Sequence, residues 1–414
     1  MMETNVEEVL DPRLLGARLQ EARKARRLTQ ERVAEELGLK RTTVVAIEKG
    51  DRRVRPEELM LLADLYGREV ADLTRRRAVT QGFAAQFRLS LPRDGGTRGD
   101  GGVDEDLSVA GAGLQGLCED YFELERLCSA PLTKRYPHPY DMAGARAERA
   151  AEDIASAERN RLGLGDGPLL NLRALLENDV GLRIFFMPMA SRIGGLFGYT
   201  DELGGCVAIN ARHPDERRRW SLAHEYAHFL TNRYHPDVAV VFVSGRVPAH
   251  ERFADAFARC FLMPASGLGR RIAALRQSKR DGVTTGDLLA LADLYRVSFA
   301  ALILRLEELR FVALGTWERL RSANFKVREA QAKLGLVIGE PARDEELLPT
   351  RYRYLAVEAY ERELLTEGEL ARYLRTDLIG AREAVERLRR RPDVGDAGDI
   401  VEMPMTFSTP VELA

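Results

Sequence analysis

Apolar side chains recur every three or four residues through most of this chain, the spacing of amphipathic helices, and turn strand-like in one short stretch. Leu15, Leu19 and Ala22 mark the first helical stripe. Thr29-Gln30-Glu31-Arg32 opens a second helix that Thr29 can cap, with Val33 and Ala34 beginning its buried side. Gly38 supplies a tight turn, Lys40 to Lys49 form a third helix, and Gly50 stops it. Pro56-Glu57-Glu58 starts a fourth helix carrying Leu59, Leu62, Ala63 and Leu65, and a last turn holds Val70 and Leu73.

The pattern then breaks. Residues 94–113 hold seven glycines and few bulky side chains, which predicts a flexible hinge inside a connector over 78–113. Helical spacing returns from Leu114 to Arg161, is interrupted at Tyr136-Pro137-His138-Pro139, and continues from Leu169 to Asn178. Leu182–Met187, Gly195–Tyr199 and Cys206–Asn210 read as strands separated by glycine turns. Beyond them the chain is helical again, with Ser298 capping a strongly amphipathic segment to Leu309. The expected architecture is mainly α with a small β-sheet (α+β). It comprises a five-helix domain at 13–77, a sheet-containing domain at 114–280, a helical C-terminal region at 281–391 and a tail at 392–414.

Charge sharpens this division. The net charge of −2 conceals 17 Lys/Arg against 11 Asp/Glu in residues 13–77, a local +6, leaving −8 elsewhere. A basic helical module on an acidic body points to a polyanionic partner. Helix, glycine turn, helix is the helix-turn-helix order, in which the second helix enters the major groove. The four cysteines, Cys118, Cys128, Cys206 and Cys260, lack C-x-x-C spacing and read as reduced, partly buried thiols of a cytoplasmic protein. No apolar run is long enough to span a bilayer and the N-terminus resembles no signal peptide.

The most specific chemistry lies in Ser221 to Phe229, which contains H-E-x-x-H. On a helix, His224 and His228 project from one face and can grip one metal ion, most plausibly one Zn²⁺ per chain. Glu225 adjoins the first ligand, placed to act as general base on a metal-activated water. A third ligand is required, and Glu251 on a second helix is favoured, with Asp255 the other candidate. If Glu251 ligates, Asp255 can instead orient an imidazole from behind. The E-x-x-x-D spacing after H-E-x-x-H looks like the thermolysin-type, gluzincin arrangement. If the strand before the metal helix is the sheet edge, Val207, Ala208, Ile209 and Asn210 would receive an extended peptide by strand addition. Arg233, Tyr234, His235 and His250 are candidates for stabilising an oxyanion; exposed loop positions are the expectation for His138, His213, His235 and His250.

Two resemblances follow from these residues. The stretch LTQERVAEELGLKRTTVVAIEKGDR resembles the XRE (Cro/C1-type) helix-turn-helix family. That resemblance implies that Gln30, Lys40, Arg41, Thr42 and Thr43 face bases and phosphates of a double-stranded operator. Lys49, Arg52 and Arg53 would meet its backbone, and a homodimer would match operator symmetry. Val45 and Ala46 stand where relatives often carry polar readers, which leaves thymine methyl contact.

WSLAHEYAHFL followed by ERFADAFARCFLMP resembles the ImmA/IrrE family of zinc metallopeptidases, and helix–sheet–metal helix is the order of a zincin-like core. The resemblance implies endopeptidase cleavage of a protein substrate, a partner helix-turn-helix repressor or the chain itself, in a stress or mobile-element response. The alternatives are a transcription factor using the peptidase-like fold as a ligand or metal sensor without proteolysis, and an antitoxin-type regulator.

Overall fold

The computed structural model describes residues 12–26, 28–68, 70–74, 101–141, 146–234, 248–278, 282–336, 339–394 and 400–404. They fall into two compact units, one ending at Glu119 and one starting at Asp120.

The first unit contains the five expected helices: α1 (Pro12–Ala25), α2 (Gln30–Glu36), α3 (Arg41–Lys49), α4 (Pro56–Tyr66) and α5 (Val70–Thr74). Thr29 caps α2 by accepting from the Arg32 amide at 3.1 Å, and Gly50 ends α3 at φ +75°, a conformation that costs other residues. Leu15, Leu19, Val33, Val44, Ile47, Leu62 and Leu73 share one core. Within it lies a charged pair that the apolar stripes conceal. Glu48, buried on α3, accepts from Arg23 at 2.5 and 2.9 Å and from Gln30 at 2.8 Å. Burial opposes the ionised form of Glu48, but bonds from Arg23 and Gln30 outweigh it and hold the carboxyl below its ordinary range.

The long helix α6 (Gly101–Leu127) corrects the expected hinge. Residues 101–113 are helical, whereas 94–100 lie outside the described residues. The reason is the stripe Leu107, Ala110, Leu114, Cys118, Tyr121 and Leu124, all buried at helical spacing. That burial overrides the glycine content, each glycine weakening a helix by only about 1 kcal/mol.

In the second unit, α7 (Ala147–Arg161) precedes the short α8 (Leu172–Leu175), which runs into a π-helical turn at Leu176–Val180. Three strands follow: β1 (Arg183–Met187), β2 (Gly195–Thr200) and β3 (Gly204–Asn210). Their order is β1-β3-β2, with β1 parallel and β2 antiparallel to β3. This overturns the expectation that Val207, Ala208, Ile209 and Asn210 form the sheet edge. β3 is hydrogen-bonded on both sides, because the tight turn after Thr200 folds β2 back along it and β1 occupies the opposite flank. Asn210 is fully buried and its amide donates to Met189, Ala190 and Ile193 carbonyls, organising the loop after β1.

Helix α9 (Asp215–Asn232) lies against β2 and β3, and α10 (Ala249–Leu262) packs on both α9 and α7. Phe257 and Phe261 of α10 face Tyr226 of α9, whose hydroxyl donates to buried Glu158 of α7 at 2.5 Å, and Phe253 packs beside Phe257. After α11 (Ala265–Ser278), α12 (Thr285–Tyr295) and α13 (Phe299–Glu308) place Leu289, Leu302, Ile303 and Leu306 in the same core. Arg305 of α13 is buried and forms two bonds to Glu152 of α7 at 2.6 and 2.8 Å. Six further helices among the described residues, from Thr316–Ser322 to Leu378–Arg389, lead to an antiparallel pair, β4 (Arg390–Val394) and β5 (Ile400–Pro404), that straddles the expected start of the tail. Tyr352, from the helix Thr350–Glu361, meets Tyr121 and Phe185 edge-on behind the sheet. All four cysteines are buried and unbridged, and no helix of the described residues is long and apolar enough to cross a membrane.

Candidate metal centre

α9 is a helix buried on nearly all sides over its second half, which fixes its histidine rotamers by packing. His224 and His228, one turn apart, bring their Nε2 atoms to 3.1 Å. Glu251, in the first turn of α10, reaches both: its Oε2 is 3.2 Å from His224 Nε2 and its Oε1 is 3.4 Å from His228 Nε2. These separations fit one face of a tetrahedron. Zinc bonds of about 2.0–2.1 Å require ligand atoms roughly 3.3–3.4 Å apart. The three residues are buried and form a possible metal-binding triad of two imidazoles and a carboxylate. The alternatives for the third position separate here: Glu251 points at both Nε2 atoms, while Asp255 meets His224 from behind, Oδ1 to Nδ1, at 3.0 Å. With its Nδ1–H donated to Asp255, His224 presents the Nε2 lone pair to the centre.

The electrostatics fit a cation held among these groups. Burial alone would lower the His224 pKa, but bonds to Asp255 and Glu251 raise it to about 10. Burial lowers His228. Glu251 is desolvated, yet the two imidazoles hold it well below the carboxylate range. Glu225 is fully buried, neither of its oxygens has a hydrogen-bond partner among the described residues, and burial lifts it to about 8. A buried carboxylate with no donor is costly unless something absent from the protein compensates it.

The space Glu225 occupies depends on a glycine that the strand reading did not single out. A Cβ on Gly195, at the start of β2, would lie 2.7 Å from Glu225 Oε1 and 2.9 Å from its Cγ. The only sequence signal was the pair Gly194-Gly195 opening a strand, where a close backbone approach is a standard cause.

The remaining candidates separate clearly. His250 sits at the centre, Nε2 to Glu251 Oε1 3.6 Å. Arg233 is packed away, over the Phe229 ring at 4.5 Å and donating to the Pro137 carbonyl. Tyr234 is exposed and edges onto Tyr199, and His235 lies outside the described residues. His138 is exposed. His213, expected in an exposed loop, is instead buried with Nε2 2.9 Å from the Ser191 carbonyl, because the chain leaving β3 turns inward there.

In the helix-turn-helix unit, Lys40, Arg41, Thr42, Lys49 and Arg53 are exposed and Thr43 is half-buried. Arg41 pairs with Glu31 at 2.9 Å, and Arg52 is held bidentately by Glu58 at 2.8 and 3.1 Å. Gln30 is turned toward Glu48.

Two family models match the chain. Residues 19–73 match a helix-turn-helix family, and residues 177–307 match a peptidase family described as the IrrE N-terminal-like domain. No curated protein matches significantly. Among solved structures, ComR from Streptococcus suis is 11% identical with a TM-score of 0.15, covering 91% of this chain and 94% of its own. PlcR from Bacillus thuringiensis, solved with the peptide PapR7 and DNA, is 13% identical with a TM-score of 0.16, covering 91% and 92%. Likeness at those TM-scores carries no argument. The helix-turn-helix order over α2 and α3 and the His-His-Glu triad on α9 and α10 fall within the two matched segments, and the chain thus joins a helix-turn-helix domain to an IrrE N-terminal-like domain of the peptidase family.

Proposed function

We propose that this protein is a DNA-binding regulator with a zinc-dependent endopeptidase, which hydrolyses a protein substrate in a stress or mobile-element response. The observation that carries the enzymatic reading is Glu225, a buried carboxylate without a partner beside three convergent ligand atoms. A sensor or a structural metal site has no use for that group; hydrolysis does.

A zinc ion held by His224, His228 and Glu251 would supply Lewis acidity and a water with a pKa near 7, by the chemistry of such sites. Glu225 takes the proton of the attacking water and returns it to the leaving amine. Asp255 holds His224 in the required tautomer. His250 donates to the developing oxyanion. The substrate lies extended along β2, whose first residue touches Glu225 and which pairs on one side only with a strand among the described residues. Residues 101–113, part of the glycine-rich segment in which the chain could cut itself, are helical and must unwind to be drawn out in this way. The substrate is a partner helix-turn-helix repressor or the chain itself.

At the other end, Lys40, Arg41, Thr42 and Thr43 approach the major groove of an operator bound by a homodimer, while Lys49 and Arg53 contact phosphates. Gln30 and Arg52 support the surface through Glu48 and Glu58.

The test is a search for new N-termini by mass spectrometry. Zinc-loaded wild type and Glu225→Gln are incubated with extracted cellular proteins and a peptide library derived from them. Cuts made by wild type and absent with Glu225→Gln, in those proteins or in the chain itself, support hydrolysis. Identical termini from the two proteins overturn it.

A further inference from the structure

At the N-terminal end of the metal helix, away from Glu225, lies a cavity of about 280 Å³. Its wall carries five arginines: Arg173, Arg218, Arg219, Arg296 and Arg353. Three carboxylates face them, from Glu177, Asp215 and Glu346. Two positive charges are therefore in excess, on a wall that runs from buried Arg218 and Arg219 to half-exposed Arg296.

The arginines are not equally compensated. Arg219 is buried, and its guanidinium donates to the carbonyls of Leu169, Leu170 and Arg296 rather than to a carboxylate. Burial lowers it to about 10. Arg218 is 4% exposed and lies over the Phe186 ring at 5.3 Å. Its Nη atoms bond the carbonyls of His213 and Glu340 and, at 3.4 Å, Asp215, but its buried Nε–H has no acceptor. Burial lowers Arg218, the carboxylates of Asp215, Glu346 and Glu216 counter it, and nearby Arg173 adds to the lowering. Glu177 is raised by burial, which weakens its value as a counter-ion. Buried guanidinia that outnumber their carboxylates, Glu177 beside Arg173 and Asp215 and Glu346 beside Arg218, are expensive, and an anion relieves the cost.

A second observation concerns Arg296. It ends α12 at φ +51°, a left-handed conformation unfavourable for an arginine and easily adopted by glycine or asparagine. This position directs a half-exposed guanidinium to Asp215 at 2.9 Å, on the cavity wall, and its carbonyl to Arg219.

We propose that this cavity binds a small phosphorylated molecule, whose phosphate monoester dianion neutralises the two excess charges of the arginine cluster. Arginine forks match phosphate oxygens in pairs, and a phosphate alone leaves room in the cavity for the esterified group. The size admits a small molecule and excludes a nucleic acid duplex. Leu222, also on the wall, lies two residues before His224, so the ligand contacts the helix that carries the metal site.

The test is calorimetric titration of the full chain with inorganic phosphate and with glucose 6-phosphate, at matched ionic strength in chloride. Saturable binding at one site per chain is expected, weakened roughly tenfold or more in Arg218→Gln by loss of a charge-assisted donor. Arg296→Asn keeps the fold, since asparagine tolerates the left-handed position, and weakens binding similarly. Absence of saturable binding with both probes overturns the proposal. So does wild-type affinity in both variants. The readout requires neither zinc nor peptide hydrolysis, so it stands or falls apart from the proposed proteolytic activity.

Discussion

Glu225 and its surroundings set the chemistry at the scale of single residues. The carboxylate fits only because Gly195 has no side chain: an added Cβ would stand 2.7 Å from Oε1. Gly195→Ala therefore displaces the base without touching a ligand. Overpacking of this kind costs about 1–3 kcal/mol. Zinc content should stay at the wild-type level while cleavage falls, read by elemental analysis beside a peptide assay. Loss of zinc together with cleavage would mean that the glycine shapes the whole centre instead. Asp255 acts one shell out, bonded to His224 Nδ1 at 3.0 Å. Asp255→Asn should weaken zinc affinity about 10–100-fold, as replacing a carboxylate behind a ligating imidazole does. A competition titration against a chelator checks it, and an unchanged affinity removes Asp255 from the site. The histidines and Glu225 were legible because a helix forces i and i+4 onto one face. Glu251's convergence was only a candidate, since α9 and α10 meet through tertiary packing. Gly195 was signalled only by a glycine pair opening a strand, its role being defined by what it leaves empty.

At the scale of elements, the buried pair in the helix-turn-helix unit yields a signed prediction. Glu48 is depressed in the folded state by Arg23 and Gln30, so its stabilising contribution is complete above the ordinary carboxylate pKa near 4.5. It is lost as pH falls through the lower folded value. Glu48→Ala strands Arg23 in the core and should cost about 3–5 kcal/mol at neutral pH. The difference from wild type should shrink on acidification below about 4.5, followed by urea denaturation across that range. A difference that stays constant would show that packing, not charge, is lost. Sequence periodicity located α3 correctly and still missed this pair, because Glu48 and Arg23 sit on stripes whose other members are apolar. The same reasoning explains the two larger departures. The hinge expectation weighed seven glycines against an apolar stripe from Leu107 to Leu124, and burial decided for a helix. The three strands were recognisable from composition, but their order was not. Register and neighbours come from non-local pairing, so β3 was mistaken for the edge that β2 supplies.

At the scale of the whole molecule, α12 and α13, past the expected boundary at residue 280, belong to the core of the peptidase-family domain. Leu289, Leu302, Ile303 and Leu306 lie in one cluster with the metal helices, and Arg305 ties α13 to α7 through Glu152. Ending the chain at residue 280, where composition alone suggests a boundary, strips several large side chains from that core, each worth about 2–5 kcal/mol. The truncated chain should lose cooperative unfolding and zinc binding, checked by calorimetry and metal content; a cooperative transition at the full chain's temperature would contradict this. The charge asymmetry of +6 and −8 was legible from the sequence, because counting needs no structure. The arginine cavity was not, since its wall is gathered from positions between 170 and 353. All of these arguments converge on one centre, and elemental analysis after zinc loading and dialysis tests it most directly. One zinc per chain is predicted for wild type and Glu225→Gln, and none for His228→Ala. A metal-free wild type, or equal zinc in His228→Ala, would contradict the account.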